Sequence, residues 1–143
     1  MNKWLEYMED KDESLSLEHL AWILLTEAID RGIECGPGWY PLIAVAYARM
    51  VAIDPGFKVA QVKEKYGGLR FYWDPSDFDV SNEVRHELSA IQDWAEEASL
   101  HICENCGDRE TATPRVSHEW YATLCDTCAG DGWERVSDVG KAQ

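Results

Sequence analysis

Apolar residues recur along this chain with two different periods, one typical of helices and one typical of strands. The helical period of about 3.6 residues appears first in a segment that ends at about Arg31. Ser14 or Ser16 can cap the start of this helix, and Gly32 suits its end. The apolar positions of this predicted helix are Leu17, Leu20, Ala21, Leu24 and Ala28. We therefore expect an amphipathic helix over this N-terminal segment.

Two further helices are predicted downstream. The first runs from Pro41 to about Ile53 and is apolar around almost its whole circumference, which predicts a central, buried position. The second runs from about Ser81 to Leu100, and its apolar face carries Val84, Leu88, Ile91, Ala95 and Ala98. Acidic side chains occupy much of the rest of that helix, namely Glu83, Glu87, Asp93, Glu96 and Glu97.

The segment between these two helices, KVAQVKEKYGGLRFYWD, alternates with a period of two and predicts a β-hairpin. Gly67 and Gly68 can adopt the positive φ angles of a two-residue turn, which would pair Val62 with Trp73. One face would then carry, with Glu64 as an exception, Ala60, Val62, Tyr66, Leu69, Phe71 and Trp73. The opposite face would carry Gln61, Lys63, Lys65, Arg70 and Tyr72. We expect the first face to pack on the helices and the second to form a basic, partly aromatic surface.

Four of the five cysteines form two Cys-x-x-Cys pairs, Cys103 with Cys106 and Cys125 with Cys128. The eighteen residues between the pairs fit the spacing of zinc ribbons. Each pair can present two sulfurs on one side of a tight loop, and zinc takes four thiolates in a tetrahedron. The pattern predicts one structural Zn²⁺ per chain, with no coordination position left for a reacting water.

Other roles for these cysteines are less consistent with the pattern. A redox Cys-x-x-Cys usually occurs once, near a βαβ unit, and a reducing compartment disfavours disulfides. Iron can also be held by four cysteines, and the sequence does not distinguish it from zinc.

Together these elements predict an α+β fold in which helices pack on a β-hairpin and a zinc-ribbon-like lobe follows. We expect a helical domain over residues 1–101, with the hairpin at 57–74, and the lobe over residues 102–143.

The chain is strongly acidic, with 13 Lys and Arg against 27 Asp and Glu and a formal charge of −14. Such a charge repels phosphate backbones and argues against nucleic acid as the main partner. The sign is reversed locally, because residues 57–72 hold four bases and one acid. The N-terminus lacks the pattern of a signal peptide, and no apolar run is long enough to span a bilayer. We expect a cytoplasmic protein, in a bacterial host cell, that makes no membrane contact.

Three sequence blocks resemble a known group of proteins. GWYPLI (Gly38–Ile43), QVKEKYGGLRFYW (Gln61–Trp73) and the Cys-x-x-Cys knuckle after them resemble small uncharacterised proteins of bacterial genomes, phages and prophages. The hairpin motif KEKYGGLRFY is the most specific part. The resemblance implies a mobile-element or host-defence setting, and it transfers no catalytic residue to this chain.

The residues favour a non-enzymatic protein that binds another protein, in particular an inhibitor of the nucleic-acid-mimic or anti-defence type. The residues expected to bind the partner form two possible surfaces. The acidic surface, which would contact a basic partner, carries Glu83, Glu87, Asp93 and Glu97. The basic hairpin surface carries Lys63, Lys65, Arg70 and Tyr72. The alternative is a zinc-ribbon protein that binds nucleic acid through the basic hairpin face. A third hypothesis, an enzyme, has little support, because the four histidines are scattered and Cys35 is the one conceivable nucleophile.

Overall fold

The computed structural model describes residues 32–139, which form two longer helices, two β-hairpins and several short helical turns. We number the α-helices and strands in chain order from residue 32. The helices are α1 (Tyr40–Ile53), α2 (Asn82–Ser99), α3 (Asp126–Ala129) and α4 (Val136–Val139), and 3-10 turns cover Pro37–Trp39 and Gly130–Gly132. The strands are β1 (Lys58–Lys65), β2 (Gly68–Asp74), β3 (Thr113–Ser117), β4 (Trp120–Leu124) and β5 (Glu134–Arg135). The predicted α+β fold is confirmed; the predicted N-terminal helix lies outside the described residues.

The apolar core lies between α1, α2 and one face of the first hairpin. Helix α1 buries residues on several sides, which confirms the central position that its uniformly apolar sequence predicted. The core side chains contributed by these three elements include Leu42, Ile43, Val45, Met50, Val62, Leu69, Phe71, Leu88, Ile91 and Ala95. Burial of each large apolar side chain contributes about 1.5–3 kcal/mol, so these contacts hold the helices on the hairpin.

Helix α2 begins and ends close to the predicted positions because its signals are local. Ser81 is the N-cap, and its Oγ accepts a hydrogen bond from the Val84 N–H at 3.2 Å. This bond satisfies one of the backbone donors that a helix start leaves without a partner. The predicted apolar face is confirmed, with Leu88, Ile91, Ala95 and Ala98 buried.

The turn of the first hairpin lies one residue earlier than predicted. Lys65 pairs with Gly68, so the turn residues are Tyr66 and Gly67, with φ angles of 54° and 86°. Both angles are positive, as in a type I′ turn. Val62 consequently pairs with Phe71 rather than with Trp73. Because each partner moves by two residues, the side chains keep their predicted faces.

Three side chains of the predicted apolar face have other roles. Tyr66 is in the turn and is exposed, and Ala60 is exposed at an irregularity in the strand register between Val59 and Gln61. Glu64, the polar exception on this face, has a structural role, because its Oε2 accepts a hydrogen bond from the Gly67 N–H at 2.7 Å. That hydrogen bond is a local reason for the observed turn position.

Each outer edge of this two-stranded sheet is covered in the half that adjoins the turn. The N–H groups of Leu69 and Phe71 donate to Ser99 Oγ at 3.0 Å and to Glu96 Oε2 at 3.2 Å, both on α2. On the β1 side, Glu34 N donates to Val62 O at 3.0 Å and Glu64 N donates to Glu34 O at 3.1 Å. Satisfied edge groups cannot pair with another strand, so the hairpin offers its exposed face rather than its edges.

The second hairpin, β3 and β4, packs against the turn of the first. Thr123 on β4 is buried, and its hydroxyl donates to Gly67 O at 2.7 Å. A Cβ on Gly67 would lie 3.2 Å from Ala122 N. The predicted strand at residues 120–124 is therefore present, and it fixes the turn from outside.

The observed turn predicts different effects of alanine at two adjacent glycines. Gly67→Ala should lower the free energy of unfolding by about 1–2 kcal/mol, because a side chain is strained at positive φ and would crowd Ala122. Gly68→Ala should change it much less, because Gly68 does not have a positive φ and its Cβ would meet Leu100 Cδ2 at an ordinary 3.4 Å. Urea unfolding of both variants checks this; equal losses would argue for a Gly67-Gly68 turn.

Candidate metal centre

The first cysteine pair lies in a tight turn directly after α2. Gly107 N donates to Cys103 O at 2.9 Å, and Cys103 N donates to Asp108 O at 2.8 Å. Gly107 has a φ of 86°, which allows the chain to close the turn. The turn therefore presents the sulfurs of Cys103 and Cys106 toward a common centre.

The second pair is on α3, where strand β4 ends. Cys125 is the N-cap of this short helix, and its Sγ accepts the Cys128 N–H at 3.4 Å. Arg115 on β3 is buried and donates to Leu124 O at 2.8 Å and to Asp126 Oδ1 at 2.7 Å. Hydrogen bonds from Arg115 and then Arg135 lower the pKa of Asp126. This Arg115–Asp126 pair, which carries no sequence motif, anchors the second knuckle to β3, the central strand of a three-stranded sheet with the order β4-β3-β5.

The four predicted ligands come together in one cluster. The sulfurs of Cys103, Cys106, Cys125 and Cys128 all lie within 4.8 Å of one another. Cys106 Sγ and Cys125 Sγ are 3.6 Å apart. A tetrahedron with metal–sulfur bonds of about 2.3 Å has sulfurs about 3.8 Å apart. The cluster therefore has the size of a site for a single metal ion.

The acid–base properties of the cluster also favour a cation. Burial raises the pKa of Cys103, but N–H groups of Cys106, Cys125 and Asn105 outweigh it and bring the pKa to about 7. The Asp108 N–H lowers the pKa of Cys106, but burial and the other three sulfurs raise it to about 12. Four thiolates so close together repel one another. A metal ion removes this repulsion, so the donor set fits a bound metal.

One side chain outside the four ligands contacts a sulfur directly. Asn105 Nδ2 donates to Cys128 Sγ at 3.2 Å. A donor to a thiolate spreads its negative charge and orients the ligand. Asn105 lies inside the first Cys-x-x-Cys, so it also links the two knuckles.

The first knuckle is packed against the segment before α1. Gly38 N donates to Glu104 O at 2.7 Å, and Gly36 N donates to Glu104 Oε2 at 2.8 Å. Trp39 Nε1 donates to Ile102 O at 2.8 Å. A Cβ on Gly38 would lie 2.0 Å from Cys103 O. These contacts join the predicted lobe to the predicted helical domain, and the division of the chain into these two parts stays a prediction.

The other candidate residues lie apart from the cluster. His101 Nε2 is 3.7 Å from Glu97 Oε1, and His118 is in the turn of the second hairpin with a φ of 58°. Burial first, then the charges of Glu104 and Glu64, raise the pKa of Cys35 to about 12. This thiol stays protonated at neutral pH, which makes it a poor nucleophile.

The predicted partner-binding residues lie on two separate surfaces. Glu83, Glu87, Asp93 and Glu97 are all exposed on α2. At 100° per residue they fall within an arc of about 120°, and we call them the acidic stripe. Lys63, Lys65, Arg70 and Tyr72 lie on the hairpin face opposite the core, with Lys63 paired to Arg70, and we call them the basic face. Between residues 32 and 139 no ion pair joins a basic-face cation to an acid.

Comparisons of the chain with family models, curated proteins and solved structures found no match. Among the helices of residues 32–139, none has both the length and the apolar character needed to cross a membrane.

The contact between Gly38 and the first knuckle predicts a position-specific effect. Gly38→Ala should lower the free energy of unfolding by about 1–3 kcal/mol or more, because overpacking typically costs that amount. It should also weaken the retention of metal. Gly132→Ala is the matched control, because no atom lies within 4 Å of a Cβ there. Thermal unfolding together with release of metal to a coloured chelator measures both effects. Equal behaviour of the two variants would contradict the proposed docking of the knuckle.

Proposed function

We propose that this protein is a small zinc-binding protein that acts by binding another protein. The four sulfurs are close enough for one ion, whereas the inorganic sulfide of an iron–sulfur cluster would separate them. The spacing of the two Cys-x-x-Cys pairs, which is that of zinc ribbons, supports zinc as this ion. Four thiolates complete a tetrahedral coordination sphere and leave no position for a reacting water. The metal therefore has a structural role, and a cytoplasmic location would keep the thiols reduced and able to bind it.

The purified protein is expected to contain one zinc ion per chain and no iron, as measured by elemental analysis. Cys106→Ser should lose the metal, and Cys35→Ser should keep it, because Cys35 is outside the cluster. Chelation should reduce hydrogen-exchange protection at residues 102–139 and then at the first hairpin turn, because Thr123 contacts Gly67. Iron in the purified protein, or full zinc in Cys106→Ser, would contradict the assignment.

The acidic stripe carries the proposal for protein binding. Its four carboxylates are exposed on one side of α2, and among the described residues its only ion-pair contact is between Glu97 and His101. Exposed charges of one sign, on a chain of charge −14, attract a partner of opposite charge and speed its association. The partner is therefore a protein with a basic surface.

An inhibitor carried by a phage or other mobile element is the specific form of this function that we favour. Its support is the resemblance of GWYPLI and KEKYGGLRFY to small uncharacterised proteins of bacterial genomes, phages and prophages, together with the acidic charge. A helix with several carboxylates on one side can occupy a basic groove that otherwise binds nucleic acid.

Nucleic-acid binding through the basic face is a second candidate function. The observation that favours it is that Lys63, Lys65 and Arg70 make no ion pair with any acid of residues 32–139. Tyr72 adds an exposed ring beside them.

Reversal of the acidic stripe tests the leading function. Glu83, Glu87, Asp93 and Glu97 are changed together to Lys, and the matched control is Lys63→Glu with Arg70→Glu. Both variants and the wild type serve as bait in lysate of the native host, and retained proteins are identified by mass spectrometry and purified. The true partner should be basic, and its association rate should fall about tenfold or more with the stripe reversed. The proposal would be contradicted by a partner that binds the stripe-reversed variant as fast as the wild type but does not bind the control variant.

A further inference from the structure

The first hairpin and the second hairpin together bring two exposed tyrosines to the end of the basic face. Tyr66 is 72% exposed and Tyr121 is 44% exposed. Their ring centroids are 6.4 Å apart with an interplanar angle of 84°. Lys65 Nζ lies 5.5 Å from the centroid of the Tyr66 ring. We call Tyr66 and Tyr121 the aromatic tip.

Folding alone gives little reason for a tyrosine at position 66. The turn requires a positive φ there, which costs most side chains about 1–2 kcal/mol, and asparagine or glycine would satisfy it better. Tyr66 also buries little of its ring. A single exposed aromatic residue is ordinary on a protein surface. Here, however, an exposed ring in an unfavourable conformation meets a second ring and the ammonium group of Lys65.

We propose that the basic face and the aromatic tip form a binding site for single-stranded nucleic acid. This inference rests on the second candidate function, nucleic acid as the ligand of the basic face. Lys63, Lys65 and Arg70 contact phosphates, and a base stacks on Tyr66 beside Tyr121. A single strand is required because bases in a duplex stack on one another and cannot reach an aromatic ring.

The net charge of the protein limits the affinity without preventing binding. Charges farther apart than the Debye length of about 8–10 Å are largely screened at physiological salt, so distant acids weaken the site only moderately. Three phosphate contacts predict that log K falls with log salt with a slope of about −2 for a single strand. We expect micromolar binding at low salt, with little preference for sequence, because every base has a face that can stack.

The cysteine cluster positions half of this site. Tyr121 is on β4, which ends at Cys125, and Thr123 on the same strand donates its hydroxyl to Gly67 O at 2.7 Å. A metal bound by the four cysteines would hold the end of β4 in place and so support the contact between the two tyrosines. Removal of the metal should weaken binding of a single strand even though every basic-face residue is still present.

The test measures fluorescence anisotropy of a labelled oligothymidylate of about 15 nucleotides in about 50 mM salt. The variants are Tyr66→Asn, which suits the positive φ of the turn, Tyr121→Ala, and Lys63→Glu with Arg70→Glu. Trp120→Ala is the matched control, because Trp120 is 75% exposed and neighbours Tyr121 but points to the other side of β4. Circular dichroism verifies the fold of each variant.

We expect Tyr66→Asn to weaken binding about fivefold or more, the loss that follows from one stacked base, and Trp120→Ala to leave binding unchanged. If the charge reversal abolishes binding while both tyrosine variants bind like the wild type, the proposed role of the aromatic tip is overturned and the second candidate function stands. If the wild type binds a duplex of equal length more tightly, the single-strand site is overturned and the second candidate function stands. If the wild type binds neither the oligothymidylate nor the duplex, both are overturned.

Discussion

The backbone of the first cysteine knuckle lies directly against the chain segment that precedes α1, and the rest of the described structure depends on this contact. Gly38 N donates to Glu104 O, and any side chain on Gly38 would overlap Cys103 O. Trp39 then joins the two parts, because its ring is buried in the core while its Nε1 donates to Ile102 O. The metal ligands and the apolar core therefore share one boundary, so a change on either side of it affects both.

Helix α2 depends on neighbours in the chain and could be predicted closely, whereas the exact position of the hairpin turn depends partly on distant residues and could not. Helix α2 follows from its own period and from Ser81, three residues before the N–H that it caps. The hairpin turn was predicted one residue late because KEKYGG permits two turn positions. The Glu64–Gly67 hydrogen bond and the packing of Gly67 on Ala122 favour one of them, and the second contact joins residues far apart in sequence.

The metal ligands could be predicted because the chemistry itself dictates their spacing, whereas the residues that support them could not. Cys-x-x-Cys places two sulfurs on one turn wherever it occurs. Arg115 reaches Asp126 across a hairpin, and Glu104 reaches Gly36 across 68 residues. These partners carry no motif, since any hydrogen-bonding side chain of suitable length could serve. A sequence therefore reveals the ligands of such a site before it reveals what holds them.

The position of α2 explains how an acidic protein can keep a basic face. Glu96 is turned toward the hairpin, where its carboxylate accepts the Phe71 N–H and so covers the edge of β2. At 100° per residue, the centre of the acidic stripe points about 120° away from Glu96 and thus away from that edge. The cations of the hairpin project from the face opposite the core, where no carboxylate of α2 forms an ion pair with them. One helix thus satisfies the sheet edge with one acid and keeps four others apart from the cations, so the protein presents two separate surfaces of opposite sign.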